Sequence, residues 1–217
     1  LRKDTGYAVL RYQYDELGRK VLLHYFGVDQ KPVISTEDHC AGRQYQYDEE
    51  GNRSDTRYLD VNDNLMTRRD LGYAWINRKY NEDGKVVEER YFDSDGQPVA
   101  CKEGNYAIYR AFYKGQNPIR KEYRDGDNQL VLRQDEGYAV LEYEYDDDKC
   151  TLERMKGTDD KPVVSKQYQC AGFRHSYEEN EDERRETTWY LDLDGNPMIR
   201  PDLGVAGCLL YTSDAAD

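Results

Sequence analysis

The chain has 217 residues, a net charge of -13 and a pI near 4.8. With no basic cluster to displace counterions, this charge excludes nucleic acid and an anionic membrane surface as partners. No stretch approaches the roughly 18 apolar residues that a membrane span needs.

Leu, Ile, Val and Phe make up about 18% of the chain, which at this charge ordinarily means disorder. Twenty-one tyrosines at regular positions reverse that expectation, since each can bury on the order of 150 Å². In chain order, Leu1 falls inside a loop ahead of Gly6-Tyr7-Ala8, so the chain is expected to be a fragment of a longer protein. Ala8, Leu10, Tyr12 and Tyr14 then alternate with Val9, Arg11 and Gln13, the period of two that predicts a strand. Asp15-Glu16-Leu17-Gly18 predicts a turn, with Asp opening it and Gly supplying a positive φ, and a second strand completes a hairpin at Tyr25. A further Asp-rich turn leads to Pro32-Val33, predicted as a short third strand or an extended connector because Pro tolerates only an edge or a strand start.

This pattern recurs. Tyr14, Tyr47, Tyr80, Tyr113, Tyr145 and Tyr177 stand 33, 33, 33, 32 and 32 residues apart, each preceded by six positions by Ala8, Ala41, Ala74, Ala107, Ala139 or Ala171. A second marker follows at Tyr25, Tyr58, Tyr91, Tyr123, Met155 and Tyr190. A small-to-large pair at one period means one supersecondary unit copied along the chain. The fold class expected is all-β: an elongated tandem-repeat array of antiparallel β-hairpins, a coiled sheet or solenoid with about 33 residues per repeat. Residues 1–207 read as six repeats plus the start of a seventh in one continuous array. A strand tyrosine is due near Thr212, and Cys208 to Asp217 resemble the translated read-through of a sequencing-library adapter, so residues 208–217 are taken as non-native.

Chemistry is sparse along this array. His24, His39 and His175 fall in three different columns without a repeated partner, and no nucleophile motif, phosphate loop or H-E-x-x-H is present. No enzyme, cofactor or metal is expected. Cys40, Cys101, Cys150 and Cys170 lack CxxC spacing and are expected as small buried substitutes. Asp93-Ser94-Asp95-Gly96 and Asp192-Leu193-Asp194-Gly195 start like a calcium loop but lack its later glutamate, so they are expected as hairpin turns. The candidate binding column is aromatic: Tyr25, Tyr58, Tyr91, Tyr123 and Tyr190, with Trp75 and Trp189. As a ladder on one face these rings would suit a sugar or choline ligand, and as the core of a core-poor protein they would suit none. Ring exposure separates the two.

Tyr-x-Tyr-Asp-Glu-x-Gly-Arg at Tyr12 to Arg19 and its copy at Tyr45 to Asn52 resemble the bacterial YD repeats of RHS proteins, over the first hairpin of each repeat. The intervening Trp189 to Asn196 is similar to clostridial cell-wall-binding repeats. The resemblance implies a bacterial β-repeat region at the cell surface or secreted. The function expected is a non-catalytic scaffold or interaction region whose partner is a protein or a cell-wall glycan. The alternatives are a carbohydrate or cell-wall-binding module and part of an RHS-type toxin-delivery shell.

The repeated alanine predicts a site where only a methyl fits beside a neighbouring aromatic. Ala107→Phe is expected to cost about 1–3 kcal/mol by overpacking, and a urea midpoint unchanged from the parent chain would rule that packing out.

Overall fold

The computed structural model describes residues 5–179 and 183–213, and among these there are strands and turns but no helix. Six hairpins follow in order: β1 (Val9–Tyr14) with β2 (Lys20–Phe26), β3 (Gly42–Gln46) with β4 (Asp55–Leu59), and β5 (Trp75–Tyr80) with β6 (Val86–Phe92). Then come β7 (Ile108–Lys114) and β8 (Asn117–Arg124), β9 (Val140–Asp146) and β10 (Lys149–Lys156), and β11 (Gly172–Glu179) and β12 (Glu183–Leu191). The last strand is β13 (Gly207–Ser213), which pairs with β12. All thirteen form one antiparallel sheet whose strand order is the chain order, ending at β1 and β13 rather than closing into a barrel. The chain divides into two compact units, residues 1–110 with 124–129 and residues 111–123 with 130–217. The same bonding recurs inside each.

The turns form for local reasons. Asp15 Oδ1 accepts the N–H groups of Leu17 and Arg19 at 3.0 and 2.8 Å, and Gly18 ends the turn at φ +74°. Asp93 does the same for Asp95 and Gln97, and Asp192 for Asp194 and Asn196. Each of these carboxylates is spent on its own turn, the Asx geometry that Asp and Gly favour. The β9–β10 link is shorter, Asp147-Asp148 with Asp147 at φ +50°, which accounts for the 32-residue spacing there.

The third segment of each repeat is a connector, not a strand. It touches its own second strand by one bridge, as at Phe26 with Pro32 and Phe92 with Pro98. Proline has no N–H to give a ladder, so the next residue makes the bond instead. Val33 donates to Tyr25 O, Val99 to Tyr91 O, Val131 to Tyr123 O and Val163 to Met155 O, all at 3.0 Å.

Alanine ties repeat to repeat. The N–H of each second marker donates to the alanine carbonyl of the following repeat: Tyr25 to Ala41, Tyr58 to Ala74, Tyr91 to Ala107, Tyr123 to Ala139, and Met155 to Ala171, at 2.9–3.0 Å. Each alanine N–H in turn donates to its own second strand, as Ala74 to Phe92 O and Ala139 to Lys156 O. From Ala41 to Ala171 these alanines are 0–4% exposed. The first tyrosine of a repeat adds a latch at a constant separation of 27 residues. Tyr47, Tyr80, Tyr145 and Tyr177 donate their hydroxyls to the carbonyls of Lys20, Arg53, Pro118 and Cys150. Tyr14 is 58% exposed, with no described repeat ahead of it.

The loops before the alanines pair in twos. Thr36 N–H donates to Thr5 O, Lys102 to Leu71 O and Lys166 to Glu136 O. Every loop has one residue at positive φ, alternately Gly6, His39, Gly72, Asn105, Gly137 and Gln169. Glycine occupies the member over which the next loop closes: a Cβ at Gly6, Gly72 or Gly137 would stand 2.8–3.0 Å from a side-chain carbon of Thr36, Lys102 or Lys166. His39, Asn105 and Gln169 carry only the conformational strain, which His and Asn tolerate better than most residues.

Gly72→Ala is therefore expected to lose about 2–3 kcal/mol, from the left-handed backbone and the Lys102 contact together. Gly204→Ala, at φ +69° with nothing within 4 Å, is expected to lose only about 1 kcal/mol. Equal losses for the two in urea titrations would remove the loop contact from the account.

Candidate functional site

The aromatic column lies inside the molecule. Tyr25, Tyr58, Tyr91, Tyr123 and Tyr190 are 3–8% exposed, and Met155 in the same column is 1% exposed. Tyr190 packs on Phe173 at 6.0 Å, and the other four tyrosines pack against rings that precede a repeat's alanine. Tyr7 lies 4.8 Å from Tyr25 between centroids; Tyr73 lies 6.0 Å from Tyr58 and 4.7 Å from Tyr91; Tyr106 lies 5.8 Å from Tyr91; and Tyr138 lies 6.0 Å from Tyr123. Tyr58, Tyr73, Tyr91 and Tyr106 so form a continuous stack. Burial drives the phenols of Tyr73, Tyr91 and Tyr138 far above the ordinary tyrosine range. The pre-alanine tyrosines are the residues the column reading passed over, although Gly-Tyr-Ala is visible as a recurring triplet.

Alternate repeats seal this stack with a cation. Arg68, Arg133 and Arg200 place their guanidinium carbons 4.7–4.8 Å from the centroids of Tyr58, Tyr123 and Tyr190. Each makes a two-pronged ion pair with the aspartate two residues on, Asp70, Asp135 or Asp202, the Nη2 contact being 2.6 Å in all three. The fork geometry and the ring face together hold the arginine in one orientation. In the first and fifth repeats the position is Ser35 or Ser165, and its N–H bonds the carbonyl of Cys40 or Cys170 at 2.9 Å. Cys40, Cys101 and Cys170 are buried, as expected of small substitutes.

The two tryptophans differ from the tyrosines. Both are half-buried. Trp75 stacks on Phe92 at 4.1 Å and 15°, with Arg57 4.9 Å above its ring. It shares the opposite sheet face with its register partners Arg57 and Phe92 and with the next rung on that face, Asp55, Asn77 and Arg90. Trp189 sits across from Arg174 on β11. The structure therefore does not bring Trp75 into the tyrosine stack.

On the Trp75 face Glu88 is buried and takes Arg90 Nε at 2.8 Å, Arg110 Nε at 2.8 Å and Lys79 Nζ at 3.2 Å. Burial by itself would raise this carboxyl. The three cationic donors outweigh it and bring it down to about 2. His24 pairs with Asp63 at 2.7 Å.

A third cluster lies on the tyrosine face of β10, β11 and β12. Cys150 pairs in register with Tyr145 and Glu153 with Tyr143, because the register shifts between Cys150 and Leu152. That bulge puts two residues three apart on one face, which a regular strand would separate. Cys150 is thus no buried substitute: it is half-buried beside Glu153 and His175. The Sγ, a Glu153 carboxylate oxygen and a His175 ring nitrogen lie within 4.8 Å of one another. His175 Nε2 stands 3.3 Å from Glu153 Oε1, and Nδ1 stands 2.9 Å from Thr188 Oγ1 and 3.4 Å from Glu186 Oε1. The hydrogen bond to Glu153 raises His175 above the ordinary imidazole value, and burial pushes the Cys150 thiol up to about 11.

No protein-family model matches this chain, and no curated protein sequence matches it.

Glu88 makes the pH dependence specific. A carboxyl held at about 2 when folded and 4.5 when free contributes stability that is complete above pH 4.5 and fades as the pH falls toward 2. Glu88→Gln is expected to be less stable near neutrality by on the order of 2 kcal/mol, with the gap closing across that acid window in urea titrations. A gap that persists at pH 2 would show that the carboxylate charge is not its source.

Proposed function

We propose that this chain is a non-catalytic repeat scaffold, an interaction region of a bacterial surface or secreted protein. The observation that supports this reading is the use to which the recurrent columns are put. The second-marker tyrosines bond the next alanine and lie buried, the first tyrosines latch the preceding repeat, and the turn aspartates hold their own turns. Residues that recur at every period are occupied in holding the array together. What varies from repeat to repeat is the outward polar surface, where a protein partner would find binding spread over many equivalent positions. In such arrays stability accumulates from nearest-neighbour interfaces.

A glycan-binding reading draws on a different observation, the half-burial of Trp75 and Trp189. Sugars stack on indole faces, and these two rings are the ones not enclosed in the tyrosine stack. The two readings part in a sedimentation assay of the purified chain on insoluble peptidoglycan, run beside Trp75→Ala and Trp189→Ala. The scaffold reading expects no saturable retention for any of the three proteins. Retention of the parent chain that weakens at least about tenfold in either variant, the loss of roughly 1.4 kcal/mol, would replace the scaffold with a cell-wall-binding module.

A further inference from the structure

We propose that Cys150, Glu153 and His175 form a three-ligand site for a zinc-class divalent ion, with the fourth position open to water. This is independent of the scaffold reading, since it concerns one place in the array and none of the recurrent columns.

The donor set is the first argument. A thiolate, an imidazole and a carboxylate together suit a borderline ion such as zinc, which takes sulfur, nitrogen and oxygen donors, and three protein ligands leave a position for solvent. Calcium and magnesium, which want oxygen alone, are disfavoured. The spacing is the second. Around a tetrahedral zinc, with bonds of about 2.0 Å to N and O and about 2.3 Å to S, donor atoms stand about 3.3–3.5 Å apart. The His175 Nε2 to Glu153 Oε1 separation is already 3.3 Å, and all three donors fall within 4.8 Å. The Cys150 thiol now points at Leu152 O at 3.6 Å, and turning it toward the His175–Glu153 pair closes the set.

The surroundings supply what a metal-bound histidine needs. Thr188 Oγ1 lies 2.9 Å and Glu186 Oε1 3.4 Å from Nδ1, acceptors that hold a proton on Nδ1 once the Nε2 proton facing Glu153 has given way to the ion. A cavity of about 340 Å³, lined by Thr151, His175 and Tyr177 among others, reaches the histidine of the cluster. None of these donors belongs to the repeat consensus. The positions equivalent to Cys150 in the first three repeats are Lys20, Arg53 and Val86, and those equivalent to His175 are Tyr12, Tyr45 and Arg78. The triad is a local departure in residue type set on the β9–β10 bulge, a register shift that also occurs between β1 and β2 and between β5 and β6.

Binding must displace protons. The thiol loses its own to solvent as the Cys150 sulfur bonds the ion, and His175 gives up the Nε2 proton that now faces Glu153. The groups around the thiol are Glu153 on its own strand, Tyr145 on β9, Tyr177 on β11 and Glu186 on β12, and burial raises both tyrosine phenols.

Cobalt(II) alone is the probe, added to the full 217-residue chain after chelator treatment and followed by absorbance. The expected result is saturation at one ion per chain, with a thiolate-to-cobalt charge-transfer band in the near ultraviolet. Cys150→Ser should abolish that band, and Glu153→Gln or His175→Ala should weaken binding at least about tenfold. Cys208→Ser, at an exposed cysteine outside the cluster, should leave it unchanged. Absence of the band at saturating cobalt, or its persistence in Cys150→Ser, overturns the site. If Cys150→Ser fails to give the β-sheet circular dichroism of the parent, Glu153→Gln decides: unchanged affinity there also overturns it.

Discussion

The main-chain groups of one residue per repeat carry this architecture. The second marker sends its N–H forward to the next alanine and receives the connector's N–H on its carbonyl. Both of its backbone groups are therefore committed outside its own hairpin. That commitment explains why the column tolerates Met155 among tyrosines: the bonds come from the backbone, and the side chain has only to fill the space. It also explains the alanine. Its carbonyl must approach a neighbouring strand beside a large ring, and a methyl is what the 0–4% exposed site holds.

A single hairpin of this composition has too little apolar surface to persist in water. Tyrosine resolves the shortage in two ways. Rings before the alanines and rings at the second markers stack into a core, and the hydroxyls of the first tyrosines satisfy carbonyls of the preceding repeat. Arginine closes the stack in alternate repeats, where its partner aspartate keeps the charge paired at the edge of the core. The true structural period is thus two repeats, an arginine loop followed by one carrying Ser or Cys at that position, with glycine required in the first because the second closes over it.

Against this background the cluster at Cys150 stands out chemically. Elsewhere the polar side chains answer one another: Glu88 with three cations, Asp70 with Arg68, Asp63 with His24. At Glu153, His175 and Glu186 two carboxylates crowd one imidazole next to a thiol, a negative surplus that a divalent cation would neutralise. The scaffold reading and this site are compatible, because a repeat array can carry a local function on any one of its copies without disturbing the bonds that all copies share.

Sequence by itself determined the hairpins, their turns, their period and the buried alanine, since each follows from local rules: alternation of two, Asp and Gly at turns, and a small residue at fixed distance from a large one. It also marked Tyr25, Tyr58, Tyr91, Tyr123 and Tyr190 as one set without deciding whether their faces point in or out. Tertiary structure alone decided that, because burial depends on which neighbouring ring arrives from the next repeat, and Tyr73 and Tyr106 arrive from there. It alone paired the loops in twos, which turned a run of Gly, His, Gly and Asn from apparent drift into a steric rule. The bulge at Cys150 was likewise invisible in the letters: residues three apart on a strand face opposite ways until an extra residue shifts the register, and only the partner strand reveals that shift.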